Sequence, residues 1–156
     1  MEIRKADVRD IPGMIELLKQ VGEVHHVIRP DIFRAGAQKY NESDLEALLK
    51  DPDRPIFVAA KGGFVAGYCF CIHQNTTGDS VLMDSRELYI DDLCVAEGCR
   101  GQGIAKALYD HTLEYAKKCG CTAITLNVWQ GNDTALRFYE KAGFTPRKTY
   151  MEVKLC

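Results

Sequence analysis

The stretch Leu93-Cys94-Val95-Ala96-Glu97-Gly98-Cys99-Arg100-Gly101-Gln102-Gly103-Ile104-Ala105 reads as a strand that ends in a glycine-bearing turn and opens a helix. The first backbone N–H groups of a helix have no intrahelical partner, and the helix dipole adds partial positive charge there. A diphosphate, whose oxygens accept several N–H bonds at once, suits such a place. Gly101 and Gly103 keep side chains out of the approach and permit unusual backbone angles. Arg100 can add a charge-assisted bond. By itself the segment suits a purely structural strand-to-helix turn equally well. It is not a P-loop, because Ile104 and Ala105 follow Gly103 where Lys and Ser/Thr would be needed. It is not a dinucleotide fingerprint either, since Lys106 stands where a third glycine belongs.

Upstream, Glu87, Asp91 and Asp92 fall on the same predicted strand. Carboxylates in a central strand are uncommon. There they can attract a cation or take a proton from an ammonium, or simply line a solvated rim and pair with Arg86. Strict alternation places Glu87, Asp91 and Leu93 on one face and Ile90, Asp92 and Cys94 on the other. Downstream, Asn132 has the character of a helix N-cap. Tyr139 follows Ala135 by one turn and shares its face, with small Ala142 nearby; such a tyrosine can be a core aromatic whose hydroxyl finds a partner. His25 and His26 lie between predicted helices, as a surface pair or part of a binding pocket. Trp129 follows a strand and either packs or shapes a site.

The elements that must position these residues alternate short β-rich runs with amphipathic helices, which argues for one α/β domain over residues 1–156. Residues 1–6 read as a strand. Asp7 caps a helix with apolar positions Val8, Ile11, Ile15, Leu18 and Val21, which Gly22 is expected to end. A second helical region is expected over 31–40, and a third over 43–50 with Ser43 and Glu46 as a capping box. Strands over 56–60 and 64–73 join at Lys61-Gly62-Gly63, a hairpin signal. Residues 74–80 read as a loop and 86–96 as the acid-bearing strand. Ile104, Ala105, Leu108, Thr112, Tyr115, Ala116 and Cys119 form one stripe of a helix over 103–119. A strand over 122–128, a helix from Asn132 to Ala142 and a last strand over 149–155 complete the chain.

Arg100-Gly101-Gln102-Gly103-Ile104-Ala105 resembles the Arg/Gln-x-x-Gly-x-Gly/Ala signature of the GNAT superfamily of N-acetyltransferases. Asn132 through Phe144 resembles that family's Asn-x-x-Ala-x-x-Phe-Tyr-x-x-x-Gly-Phe segment. Ala96 and Gly98 stand where a proline often follows the strand. The resemblance implies a mixed, largely antiparallel sheet with splayed central strands and helices on both faces. It implies acetyl-CoA as co-substrate, with the pantetheine arm on the backbone of Leu93, Cys94 and Val95. Its pyrophosphate would lie at Arg100, Gly101, Gln102, Gly103, Ile104 and Ala105, and Asn132, Ala135 and Tyr139 would contact the arm. Tyr139 would protonate the leaving thiolate. The stretch Ile90–Val95 is similar to the acidic stretch of polyamine acetyltransferases, where the first acid is the base; this ranks Asp91 first, Glu87 second and Asp92 third. The acceptor implied is a primary amine, a cationic small molecule before a protein N-terminus or lysine, attacked directly in a ternary complex. A catalytically silent acyl-CoA-binding module is the alternative. The family also allows a homodimer.

Composition bounds the rest. The 156 residues are 46% hydrophobic and 27% charged, with a formal charge of −2 and a pI near 6.1. That lacks the basic excess of a nucleic-acid binder or polybasic membrane anchor. No targeting or membrane-spanning segment is read, so a cytoplasmic location is expected. The seven cysteines show neither a disulfide framework nor zinc spacing, so no metal is expected.

Overall fold

The computed structural model describes residues 1–156. Strands β1 (Glu2–Lys5), β2 (Ile56–Lys61), β3 (Phe64–Thr76), β4 (Ser85–Val95) and β5 (Ala123–Leu126) form one sheet in that order. All neighbours are antiparallel except β4 and β5, which run parallel. Helices α1 (Ile11–Ile28) and α2 (Glu42–Leu49) cover one face, where Met14, Leu17, Leu18 and Leu45 pack against Val58, Tyr68, Phe70 and Cys94. Helix α3 (Ile104–Lys118) covers the other, setting Ile104, Leu108 and Ala116 against Phe57, Cys69, Leu88 and Ile90. Helix α4 (Asp133–Lys141) follows β5. This is the mixed, helix-flanked sheet that the sequence implied.

Several local expectations change. Asp7 caps a short 3-10 turn, Val8–Asp10, rather than α1 itself. Gly22 does not end α1, which runs on to Ile28. A Cβ at Gly22 would collide with the carbonyl oxygen of Ala37, so the glycine serves close packing of the 29–41 segment, not termination. That segment is not the helix expected over 31–40. Pro30 starts it, Gly36 adopts φ +66°, and it is held to α1 by side chains. His26 Nδ1 lies 2.8 Å from the Phe33 carbonyl, His25 stacks on Phe33, and Phe33 meets Trp129 edge-on. The histidine pair and Trp129 therefore have packing partners. The capping box of α2 is Asn41 with Asp44, two residues before the one expected. The 149–155 strand does not form: no regular element follows α4.

The hairpin at Lys61–Gly63 forms, with Gly62 and Gly63 at φ +51° and +88°, although β3 extends to Thr76.

Candidate functional site

Strands β4 and β5 are in register only from Glu87–Ala123 to Ile90–Leu126. Past Ile90, β4 continues to Val95 beside β3 alone. One edge of Leu93, Cys94 and Val95 thus faces a gap instead of a strand, leaving backbone polar groups free to bind something else. The gap opens onto the turn before α3. There Ala96 is buried and takes φ −53°, a value proline would also adopt. A 3-10 turn, Glu97–Cys99, follows, and the Glu97 N–H donates to Gln20 Oε1 of α1 at 3.2 Å.

Gly101 and Gly103 have φ +77° and +76°, with open space where a Cβ would be. Gly103 caps α3 without any side-chain hydrogen bond. The backbone N–H groups of Gln102, Gly103, Ile104 and Ala105 find no backbone acceptor. Unpartnered donors in open space at the N-terminus of a fifteen-residue helix suit a diphosphate. Lys61 Nζ, from the hairpin, donates to Gln102 Oε1 at 2.9 Å and brings a cation to the same rim.

Asn132 caps α4 by accepting from the Ala135 N–H at 3.3 Å. It also lines a cleft of about 750 Å³ between α1 and the start of α4, with Gln20, Val24, Glu97 and Arg137. Ala135, Phe138 and Tyr139 share the inner face of α4. Tyr139 is 9% exposed and lies edge-on to Phe138 and Phe144. Burial, reinforced by the nearby Asp92 carboxylate, raises its phenol pKa. At neutral pH it therefore keeps its proton.

The acids are arranged differently from the alternation. β3 pairs Phe70 with Asp92 and Cys71 with Ile90, so Asp91 is the extra residue of a β-bulge. Before the bulge, Leu88 and Ile90 face α3. After it, Cys94 faces α1 while Leu93 and Val95 pack on the α3 side. Asp91 and Asp92 thus both point to the α1–α2 side, instead of to opposite faces, and Leu93 leaves the face it was expected to share with Asp91. The Lys39 ammonium donates to Asp91 Oδ1 at 2.8 Å and the Tyr40 hydroxyl to Oδ2 at 2.9 Å. Tyr68 donates to Asp92 Oδ2 at 2.6 Å. Burial pushes the Asp92 carboxyl up to about 6, against the opposing pull of Tyr68 and the Lys39 charge. Burial draws the Lys39 ammonium down most strongly, but the bond to Asp91 and the charges of Asp91, Tyr40 and Asp92 together outweigh it and the net shift is upward. Burial also pushes the Cys94 thiol up to about 12, so it stays neutral.

Glu87 is not brought to this pair. It lies where β4 is still paired to β5 and holds Arg147 through both carboxylate oxygens at 3.0 Å. Lys39, Tyr40 and Tyr68 were missed in the sequence. The first two reach Asp91 from 52 and 51 residues away, a contact no local pattern signals. Tyr68 was legible only through the register of β3 on β4. No cluster of His, Cys, Asp or Glu has the makings of a metal site, and no helix is long and apolar enough to cross a membrane.

The Acetyltransferase (GNAT) family model matches residues 22–144. An uncharacterized N-acetyltransferase of Mycobacterium bovis is 34% identical over 96 residues, 62% of this chain and 56% of that protein. The chain thus spans little more than half the length of that relative. The thialysine N-epsilon-acetyltransferase of Mus musculus is 27% identical over 144 residues, 91% of this chain and 81% of that one. A crystal structure of a mutant of the BH1408 protein from Bacillus halodurans aligns with a TM-score of 0.95 at 31% identity, covering 100% of both chains.

Proposed function

This chain belongs to the acetyltransferase (GNAT) family, and from that premise we propose that it transfers an acetyl group from acetyl-CoA to a primary amine on a cationic small molecule, by direct attack in a ternary complex. The observation that carries this reading is the gap beyond Ile90. It leaves a strand edge free just before a helix start with unpartnered N–H groups; two carboxylates on one face of the same strand and a protonated, buried Tyr139 support the reading. The mouse relative acts on the ε-nitrogen of thialysine, a primary alkyl amine, which supports the acceptor class.

In this reading acetyl-CoA is the co-substrate and supplies the activated acyl group. The N–H groups of Gln102 to Ala105 and the Arg100 guanidinium hold its diphosphate. The open edge of Leu93–Val95 bonds its amide-bearing arm, with Asn132 and Ala135 on the opposite wall. Asp91 binds the ammonium of the acceptor, in the position its own Lys39 now holds. Asp92, with a carboxyl near 6, is ionised at neutral pH yet basic enough to accept the amine's proton, directly or through a water. It replaces Asp91 as first choice for the base. Glu87, paired to Arg147 at the closed end of β4, is left without a step. Tyr139 keeps a proton at neutral pH and gives it to the departing thiolate.

The deciding experiment is an amine panel with acetyl-CoA, followed by thiol release. Turnover with diamines or lysine-like amines above neutral and anionic amines is expected. Tight acetyl-CoA binding with no turnover on any amine would replace the enzyme by an acyl-CoA-binding module. Turnover only with peptides would move the acceptor to proteins.

A further inference from the structure

Lys39 brings a primary alkyl amine, the chemical class of the proposed acceptor, to the acids of β4. Its ammonium donates to Asp91 Oδ1 at 2.8 Å and lies over the Tyr40 ring, 5.5 Å from its centroid. The Tyr40 hydroxyl holds the second oxygen of the same carboxylate, so the amine is placed from two sides. Asp92 lies next along the strand on the same side, close enough for its charge to act on Lys39 and on Tyr139. The lysines of α3, Lys106 and Lys117, instead pair with acids of their own helix.

The surroundings leave room for reaction. At Asp91, β4 has passed its last partner on β5, the Ile90–Leu126 pair. Two residues of strand, about 7 Å, lead from Asp91 to Leu93, where the free edge begins. The Lys39 side chain is about half exposed and sits on a segment without regular structure, so Nζ can swing that far. For an ion pair alone an arginine would serve better, because its planar fork matches a carboxylate. A lysine adds a nucleophile.

We propose that Lys39 is itself an acceptor of this site, each chain acetylating its own Lys39 from acetyl-CoA. The proposal rests on the acetyl-transfer reading above. The Lys39 nitrogen attacks the thioester carbonyl; a C–N bond forms, the C–S bond breaks, and its electron pair leaves with sulfur. Two protons leave the nitrogen. Asp92 takes the first and passes it to water, and the second replaces, through water, the proton that Tyr139 gives to the thiolate. The product is an uncharged amide, which cannot form the ion pair with Asp91. Each chain therefore reacts once, and the first carboxylate is left open to cationic amines.

The test follows the full chain with isotope-labelled, saturating acetyl-CoA and no added amine, and reads each lysine by peptide mass spectrometry. One acetyl group per chain is expected at Lys39, entering at least about a hundredfold faster than at Lys106 and Lys117, as positioning of a reacting group allows. Its rate constant should not change with protein concentration. Lys39→Arg, which keeps a cation on Asp91, should incorporate one group fewer, and Asp92→Asn should slow the reaction at Lys39 at least about tenfold. Entry at Lys39 no faster than at the two α3 lysines would mean simple chemical acylation and overturn the proposal. A rate that rises in proportion to protein concentration would overturn it too, since one copy would then modify another. So would a parental rate in Asp92→Asn. The amine panel run on the same preparation separates the two readings. Turnover of added amines with Lys39 unmodified overturns this inference alone, whereas an unmodified Lys39 with no turnover on any amine removes acetyl transfer as well.

Discussion

The Lys39 ammonium donates to Asp91 Oδ1 at 2.8 Å across 52 residues of sequence, placing a cation of the chain itself beside two carboxylates of β4. Lys39 is about half exposed, so an acceptor can displace it. The segment that carries it, residues 29–41, has no regular structure.

Lys39→Met is therefore expected to lower KM for cationic amines by about tenfold, a change worth about 1.4 kcal/mol, and to leave neutral amines nearly unaffected. The same change removes a positive charge that holds the Asp92 carboxyl down, so the acidic limb of the kcat/KM profile should move to higher pH. Steady-state rates for matched cationic and neutral amines check both. An unchanged KM ratio would separate Lys39 from the acceptor position.

Asp92 sets a pH dependence whose sign follows from its raised carboxyl. As a base it must be ionised, so kcat/KM should rise through about pH 6. Its effect on stability runs the other way. A carboxyl raised in the folded state makes folding less favourable as pH climbs from the unfolded value near 3.8 through about 6. Asp92→Asn should thus lose most activity while gaining about 3 kcal/mol of stability at pH 7, a gain that shrinks toward pH 4. Thermal unfolding at pH 4 and pH 7 measures it. A variant no more stable at pH 7 than at pH 4, relative to the parent, contradicts the buried charge.

Tyr139→Phe should lower kcat by roughly tenfold to a thousandfold, as expected when a general acid is removed, with acetyl-CoA affinity close to the parent's. Single-turnover thiol release separates the two quantities. If kcat stays within about twofold at neutral pH, a water performs the protonation.

Gly103→Asp places a carboxylate where the structure has open space and unpartnered N–H groups. In the parent, acetyl-CoA at a hundredfold excess over its Kd should add about 2.7 kcal/mol of stability; in the variant the ligand-induced rise in Tm should vanish. Comparing each protein with its own ligand-free Tm separates this from strain at a positive φ. A rise of parental size in the variant would remove the α3 start from the binding site.

What the sequence determined by itself is local. The α3 stripe, the Gly101–Gly103 turn, the Asn132 cap and the shared face of Ala135 and Tyr139 rest on periods and caps that operate within a few residues. Those features lie in the structure where the sequence put them. The two-glycine hairpin is of the same kind.

What only the tertiary structure decided is set by contacts between distant segments. Alternation could not foresee that Asp91 is an extra residue, because a bulge is defined by the partner strand's register, and one added residue reverses every later facing. It therefore missed the pairing of Asp91 and Asp92 on one side and misplaced Leu93. The helix expected over 31–40 yielded to packing of Ala37 against Gly22 and of Phe33 on His25 and Trp129, energies that local propensity does not contain. The strand expected over 149–155 has strand composition, but a strand exists only where an edge receives it. Ion pairs to Arg29 and Asp31 tie that segment to the body of the chain instead, with Met151, Val153 and Leu155 exposed.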